Sequence, residues 1–428
     1  MNLNKDEFKL SDALMKILGS QQWDLEGIVA ELTNIGLPAP GGGNWTSDSL
    51  TQELRRVGKR PEKISIKRVV NVSREVSATL AQEAGTTSTD GAEYEEAMNR
   101  LLKLGLRNRW YMVALSHEIT DKPETATVLG ERVVLWRDEN GAIRAVEDRC
   151  PHRGIALSTG KVHEGRLRCA YHGIEIDRNG IVIEVPAFPD CPYKGKKMLI
   201  DYPVIEHYGA IFAYFGDAKH PDPLPLEFSS EFADPDWSGV CYSEVWNGHY
   251  QYVYDNICDP MHGSYLHGTT YIQSRGKHVD RINVRDTEDG FEVFRDGQQG
   301  VSFDWMELVD KGNVCYMRVK VGLPAAAGPG GPLQINFFVT PVDENRTRIF
   351  AYRFRKVTGW QADLWHFLYH TRLGQHMDAV LAEDRMALDA MPPWPARENL
   401  YQHDIGLVRA RRHIRQAAEA QAKELIST

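Results

Sequence analysis

Two thiols and two imidazoles occur within twenty-three residues of this chain, as Cys150-Pro-His152 and Cys169-Ala-Tyr-His172, with sixteen residues between His152 and Cys169. In a [2Fe–2S] cluster of mixed ligation one iron takes two thiolates and the other two imidazoles. Two short loops, each offering one thiol and one imidazole, can close over such a cluster from opposite sides. Neutral imidazoles in place of two anionic sulfurs raise the reduction potential, which suits an electron relay. Tetrahedral zinc accepts the same four ligands and is the rival metal. Zinc fingers, however, usually order their ligands Cys-Cys then His-His rather than as two Cys/His pairs. The iron reading is therefore preferred.

A second group of candidate ligands lies further along. In Asn256-Ile-Cys-Asp259-Pro-Met-His262-Gly-Ser-Tyr-Leu-His267 two imidazoles stand five residues apart. That spacing does not stack both on one face of a regular helix, but a bent helix would converge them. Asp259 precedes proline and is pushed away from helical dihedrals, so a distortion is expected there. A third ligand is suggested by a long helical stretch in which Met377, Val380, Leu381, Asp384, Leu388 and Met391 follow the three/four spacing of a buried stripe. Asp378, Arg385 and Asp389 fall on the other side. Asp384 is thus an acid on the apolar face, and burying it unpaired is costly or forces protonation. A metal removes that cost, as would an Arg or Lys from elsewhere. Two imidazoles and one carboxylate form the facial triad that leaves positions on Fe(II) open for oxygen and substrate.

The elements that must position these residues can be read from periodicity. Residues 1 to about 100 read as helical, at Leu10–Leu18, Leu25–Thr33, Ser49–Val57 and Glu93–Leu104, with a small polar linker at Ala84–Gly91. From Trp110 the period changes to two. Strands are expected at 127–129, 132–136 and 142–146, with a turn at Asp138–Gly141, and Asn179-Gly180 marks a second hairpin. Ile211–Phe215 closes this small all-β unit. After the Pro-rich stretch at 221–225 come a helix at Tyr250–Cys258, strands at 291–294, 314–321, 334–340 and 347–355, and a continuous helix from about Gln361 to Ala390. Pro392-Pro-Trp-Pro ends that helix, and a last one spans roughly Ile405–Glu424.

At 428 residues the chain suggests two or three domains, and 42% hydrophobic with 25% charged residues is the balance of a globular protein. Fifty basic against fifty-nine acidic side chains give no electrostatic case for nucleic acid. There is no run of eighteen apolar residues, and the opening residues lack the apolar stretch of a secretory signal. Cys191, Cys241, Cys258 and Cys315 are scattered and suggest no disulfide framework, so a cytoplasmic location is expected.

Cys-Pro-His-Arg-Gly, the second Cys-x-x-His-Gly and Asn-x-x-Asp-Pro-x-His-x₄-His together resemble the α subunit of Rieske non-haem iron oxygenases, over about residues 107 to 415. The resemblance implies an α+β protein with a small all-β Rieske [2Fe–2S] domain (107–222) and a helix-grip (START-like) catalytic domain with an antiparallel sheet (223–428). A helical N-terminal extension (1–100) precedes them. It implies that Cys150, His152, Cys169 and His172 hold the cluster, and that His262, His267 and Asp384 hold a mononuclear Fe(II), with Glu383 as the alternative to Asp384. Asp259 is then a catalytic residue that orients His262 and bridges to His172 of a neighbouring subunit in a head-to-tail homotrimer; Asn256 is a further candidate beside the iron. The implied activity is that of a terminal oxygenase using O₂ and electrons from NAD(P)H, delivered by a separate reductase with or without a ferredoxin. Its expected reaction is hydroxylation, or O-/N-demethylation, of a small aromatic or heteroaromatic compound. Cis-dihydroxylation and a pure electron-carrier role are the alternatives.

Three features fall outside this pattern. Lys194, Lys196 and Lys197 would suit an acidic electron donor, although such a run is usually a solvated loop. Arg409–Arg415 reads as a solvated basic face. The first sixty residues faintly resemble the helix-turn-helix tail of DNA recombinases, yet carry seven basic and eight acidic side chains, so a packing or oligomer-contact role is preferred.

Overall fold

The computed structural model describes residues 4–21, 23–58, 90–217, 219–220, 222–227, 229–268, 270, 281–296 and 305–427. It begins with three helices, α1 (Lys5–Gly19), α2 (Leu25–Asn34) and α3 (Ser47–Gly58). Asn4 starts α1 through a capping box with Glu7, and Asp24 caps α2 by accepting from the Gly27 amide at 2.6 Å. The expected linker lies outside the described residues up to residue 89, and α4 (Asp90–Leu104) follows.

Ten short strands come next: β1 (Arg109–Leu115), β2 (Glu124–Val128), β3 (Glu131–Arg137), β4 (Ile143–Glu147), β5 (Lys161–His163), β6 (Arg166–Arg168), β7 (Glu175–Ile176), β8 (Val182–Glu184), β9 (Val204–His207) and β10 (Ala210–Phe215). They form three sheets, β1-β10-β9, β2-β3-β4 and β5-β6-β7-β8. Both expected hairpins are present, joining β3 to β4 and β7 to β8.

The rest of the chain is built on one seven-stranded antiparallel sheet. A short α5 (Ser230–Ala233) leads to β11 (Trp237–Asn247), then α6 (Tyr250–Cys258) and α7 (Gly263–Leu266). Six strands follow: β12 (Ile282–Thr287), β13 (Gly290–Arg295), β14 (Trp305–Asp310), β15 (Cys315–Val321), β16 (Leu333–Asp343) and β17 (Arg346–Lys356). The strand order is β11-β17-β16-β15-β14-β13-β12. After it run α8 (Gly359–Leu368), α9 (Gly374–Asp389) and α10 (Ile405–Ile426).

Strand β17 shows how the layers meet. Ile349 and Ala351 share a core with α6, α8, α9 and α10, whereas Phe350, Tyr352 and Phe354 pack with Trp110, Met112, Phe212 and Tyr214 of β1 and β10. Both faces of the central strands are therefore covered, and β16 and β17 are buried along most of their length. A buried ion pair joins the same layers: Arg109 of β1 forks onto both oxygens of Asp310 on β14 at 2.9 Å, and His413 of α10 reaches that acid at 2.8 Å. Burial would raise the Asp310 pKa, but His413 and Arg109 hold it well below the usual carboxylate range.

Three expectations need correction. The helix from Gln361 to Ala390 is not continuous, because a π turn at Tyr369–Leu373 separates α8 from α9. There Thr371 donates its hydroxyl to the Phe367 carbonyl at 2.8 Å, competing for a helical acceptor, and contacts Ser11 at 2.9 Å. The extra residue lets α8 turn Leu364, Phe367 and Leu368 onto α1–α3, while α9 presents Val380, Leu381 and Asp384 to a different core. Met391 does not extend the stripe, since α9 stops at Asp389 and Met391 is 47% exposed. Finally, the basic run on α10 is engaged rather than merely solvated. Arg411 forks onto Asp255 and Glu398, and Arg409 meets Asp286.

Candidate metal centres and cavity

The first centre is made by two loops of the same local design. In each, the cysteine amide donates to the carbonyl five residues on (Cys150 to Ile155 at 2.8 Å, Cys169 to Ile174 at 2.9 Å). The glycine four residues on donates back (Gly154 to Cys150 at 2.9 Å, Gly173 to Cys169 at 3.1 Å). Gly154 and Gly173 sit at φ 75° and 69°, where a side chain would strain the turn. Asp148 anchors the first loop by accepting from the Ser158 amide and hydroxyl, both at 2.8 Å, and from Arg132 at 2.9 Å.

The loops bring the four expected ligands together. Cys150 and Cys169 are buried beside Trp136, whereas His152 and His172 are exposed, with their Nδ1 atoms 3.2 Å apart. Burial first, and then the neighbouring Cys169, push the Cys150 thiol up to about 11. Two sealed sulfurs facing two imidazoles are a donor set that fits an inserted cation cluster. Its imidazole side faces outward, and the Tyr171 ring lies 3.9 Å from that of His172.

The second centre depends on the break foreseen before Pro260. Helix α6 ends at Cys258, Asp259 takes extended dihedrals (φ −104°, ψ 95°), and the single turn of α7 sets His262 and His267 at its two ends. Asp384 arrives from α9. Its Oδ1 lies 3.4 Å from His262 Nε2 and 3.2 Å from His267 Nε2, and one donor atom from each residue falls within 4.8 Å of the others. The Nδ1 atoms are occupied elsewhere, His262 on the Asp259 carbonyl at 2.5 Å and His267 on Glu383 at 2.8 Å. Each imidazole therefore turns Nε2 toward the centre, the tautomer a metal requires. Burial would raise the Asp384 pKa, but its contacts with His262 and His267 bring it down to about 2. The set fits one divalent metal.

Some assignments change in detail. The contact from Asp259 to His262 comes from its main-chain carbonyl, while its carboxylate accepts from the Met261 amide at 2.8 Å. Glu383 lies behind His267 and also accepts from Thr270, which favours Asp384 over Glu383 as the ligand. Asn256 donates to Asp384 at 3.1 Å, so it does stand beside the centre. Two of the three lysines near the cluster are neutralised locally, Lys194 by Glu184 and Lys197 by Asp201. A further residue, Arg353, escaped the sequence reading. Its signal was a pair of charges, Arg353 and Arg355, in the otherwise apolar buried stretch 349–355.

A cavity of about 870 Å³, counted to its mouth, opens on the triad. Its walls are largely apolar, from Val319, Val321, Ile335 and Phe337 of the sheet and Met377, Val380 and Leu381 of α9. That lining suits a small organic ligand.

Comparison with known proteins agrees with this geometry. Residues 109–203 match the Rieske [2Fe-2S] domain, residues 246–420 the vanillate O-demethylase oxygenase C-terminal domain, and residues 3–59 a recombinase-like helix-turn-helix domain. With both metal-binding halves in this order, the chain belongs to the Rieske non-haem iron oxygenase α subunits. It is 33% identical over 189 residues to the vanillate O-demethylase oxygenase subunit of a Pseudomonas species, covering 44% of this chain and 51% of that protein. It is 32% identical over 163 residues to the dicamba O-demethylase oxygenase component of Stenotrophomonas maltophilia, covering 38% and 48%. The chain spans about half the length of the relatives it matches. Among solved structures, dicamba monooxygenase bound to dicamba aligns with TM-score 0.58 and 22% identity, over 74% of this chain and 98% of that one. A carbazole-bound oxygenase of carbazole 1,9a-dioxygenase in complex with ferredoxin aligns with TM-score 0.63 and 21% identity, over 78% and 95%. At those identities the structures speak to fold alone. No helix among the described residues is long and apolar enough to cross a membrane.

Proposed function

We propose that this chain is the terminal oxygenase component of a multicomponent Rieske system that hydroxylates, or O- or N-demethylates, a small aromatic compound. The observation that carries this reading is the presence in one polypeptide of both donor sets, with an apolar cavity opening on the second. In this account Cys150, His152, Cys169 and His172 hold the [2Fe–2S] cluster, and His262, His267 and Asp384 hold Fe(II). Bound there, the two centres supply electron relay and oxygen activation. The protein's own work is positional. Glu383 and the Asp259 carbonyl fix the imidazole tautomers, Asn256 steadies Asp384, and the apolar walls exclude water and seat the substrate. Relatives named for vanillate O-demethylation and toluene-4-sulfonate monooxygenation support a small aromatic substrate.

Electrons would come from NAD(P)H through a separate reductase, with or without a ferredoxin. The exposed His152–His172 edge suits transfer to a neighbouring copy, and a head-to-tail trimer bridged by Asp259 is the arrangement we favour. We divide the chain into a helical extension (1–100), a cluster domain (107–222) and a catalytic domain (223–428). For the extension we favour packing over nucleic-acid reading. Its apolar face is spent on Leu364, Phe367 and Leu368, and a Cβ on Gly58 would stand 2.9 Å from that of His366. Two of its arginines are also engaged, Arg55 with Asp363 and Arg56 with Glu7 and Glu53. The test is a screen of aromatic compounds with a surrogate reductase, following substrate-dependent O₂ uptake and product mass. Oxygen uptake that ignores every compound would refute the oxygenase reading.

A further inference from the structure

The cavity beside the triad holds a buried guanidinium whose donors are only half used. Arg353 lies on β17, 1% exposed, and lines the cavity. Its Nη1 donates to Asp378 Oδ1 at 2.5 Å and to the Tyr369 hydroxyl. Its charge sits 5.3 and 5.7 Å from the ring centres of Tyr242 and Tyr369. Among the described residues, Nε and Nη2 make no hydrogen bond. Arg355, two residues on, is the structural contrast. Both its terminal nitrogens are spent on main-chain carbonyls, those of Ala327, Gly328 and Gly331. Burying a guanidinium is costly unless the charge is matched and its donors are filled. Among the described residues the counter-charge on Arg353 is Asp378, 46% exposed, so water screens much of it. An arginine so placed presents a planar donor edge suited to an oxyanion, in a wall that is largely apolar.

We propose that Arg353 anchors the anionic group, a carboxylate or sulfonate, of an aromatic substrate and so directs the far end of its ring toward His262, His267 and Asp384. This rests on the oxygenase reading and narrows its substrate class. The scale fits. Asp378, which tethers Arg353, and Asp384 lie six residues apart on α9, on the order of 9 Å along the helix axis. A benzene ring with a substituent at each end spans a comparable length.

The test is calorimetric binding to the purified holoprotein, without reductant, using 4-methoxybenzoate, 4-toluenesulfonate and the neutral 4-methoxybenzamide. The unaltered protein should bind at least one of the anions roughly tenfold to a hundredfold tighter than the amide, the range of a charge-assisted pair. Arg353→Gln should bring anion and amide within about threefold of each other, and Arg353→Lys should keep part of the preference. Asp378→Asn, at a half-exposed position, should tighten the anion and leave the amide unchanged, because the guanidinium loses a competing acceptor. This variant carries the test should Arg353→Gln fail to fold. Anions that bind no better than the amide overturn the proposal, as does a preference that survives Arg353→Gln or an Asp378→Asn variant with unaltered anion affinity. Turnover separates this outcome from the larger reading. Anion preference with no oxygen uptake on any aromatic would keep the anchor and sink the oxygenase. Uptake driven by neutral aromatics without anion binding would do the reverse.

Discussion

Glu383→Ala is the most informative single substitution at the second centre, because it separates the acid proposed to bind metal from the acid proposed to aim a ligand. In the structure Glu383 accepts the Nδ1 proton of His267 at 2.8 Å, while Asp384 faces Nε2 of the same ring at 3.2 Å. A charge-assisted hydrogen bond of this kind contributes about 1.5–3 kcal/mol when enclosed. The Glu383 side chain is 25% exposed, so screening reduces that to roughly 1–2 kcal/mol. The loss corresponds to iron bound about 5- to 30-fold more weakly, at the lower end of what removal of such orienting partners costs. The assay is chelator competition for the mononuclear iron, with cluster absorbance as internal control. Asp384→Ala in the same assay should abolish retention, since it removes a donor. Unchanged retention in Glu383→Ala, or a loss there exceeding that in Asp384→Ala, would refute the assignment.

Further outcomes follow from the layers around the centres. Arg109→Met should lower stability by about 3–5 kcal/mol in urea unfolding, because Asp310 would be left with a buried charge matched by His413 alone, and an unchanged midpoint would contradict it. Phe367→Ala, in the core shared by α8 and α1–α3, should cost about 3–5 kcal/mol and speed proteolysis of the N-terminal helices; equal cleavage rates would count against that docking. Burial lowers the His249 pKa from 6.5 to about 4, so the folded state keeps it neutral while the unfolded chain takes up a proton below pH 6.5. Its contribution is complete above pH 6.5 and is lost as pH falls toward 4, about 3 kcal/mol at most. Urea unfolding at pH 7 and pH 4.5 should show a smaller acid loss for His249→Phe than for the unaltered chain, and identical losses would contradict this.

Much of this architecture was legible because local chemistry and tertiary demand agree. The Cys/His loops announce themselves by spacing, and the Asp-Pro break before His262 is a backbone restriction visible in any sequence. Strands β16 and β17 were readable because both faces are buried and their centres, at 337–339 and 349–352, are apolar runs. The strands that escaped include β11 and β12, the two edges of the sheet, whose partly exposed residues such as Ser243, Glu244, Arg285 and Asp286 carry no strong period. The π turn escaped because Tyr369–Leu373 keeps helical composition, and only its contact with Ser11, far away in sequence, marks the place. Glu383 was visible as one of two adjacent acids, yet its role is set by which nitrogen of His267 it meets, and that is a matter of three-dimensional placement.

The central claim is that a relay cluster and a separate oxygen-activating iron share this polypeptide. Its most direct measurement is iron and acid-labile sulfide analysis of anaerobically purified protein, paired with EPR of the reduced and nitrosylated forms. The account predicts iron and sulfide in a ratio of about three to two, with a mixed-ligand [2Fe–2S] signal and a distinct ferrous–nitrosyl signal that Asp384→Ala removes. A ratio of about one to one with no ferrous–nitrosyl signal would leave only an electron carrier, and zinc without sulfide would contradict the account altogether.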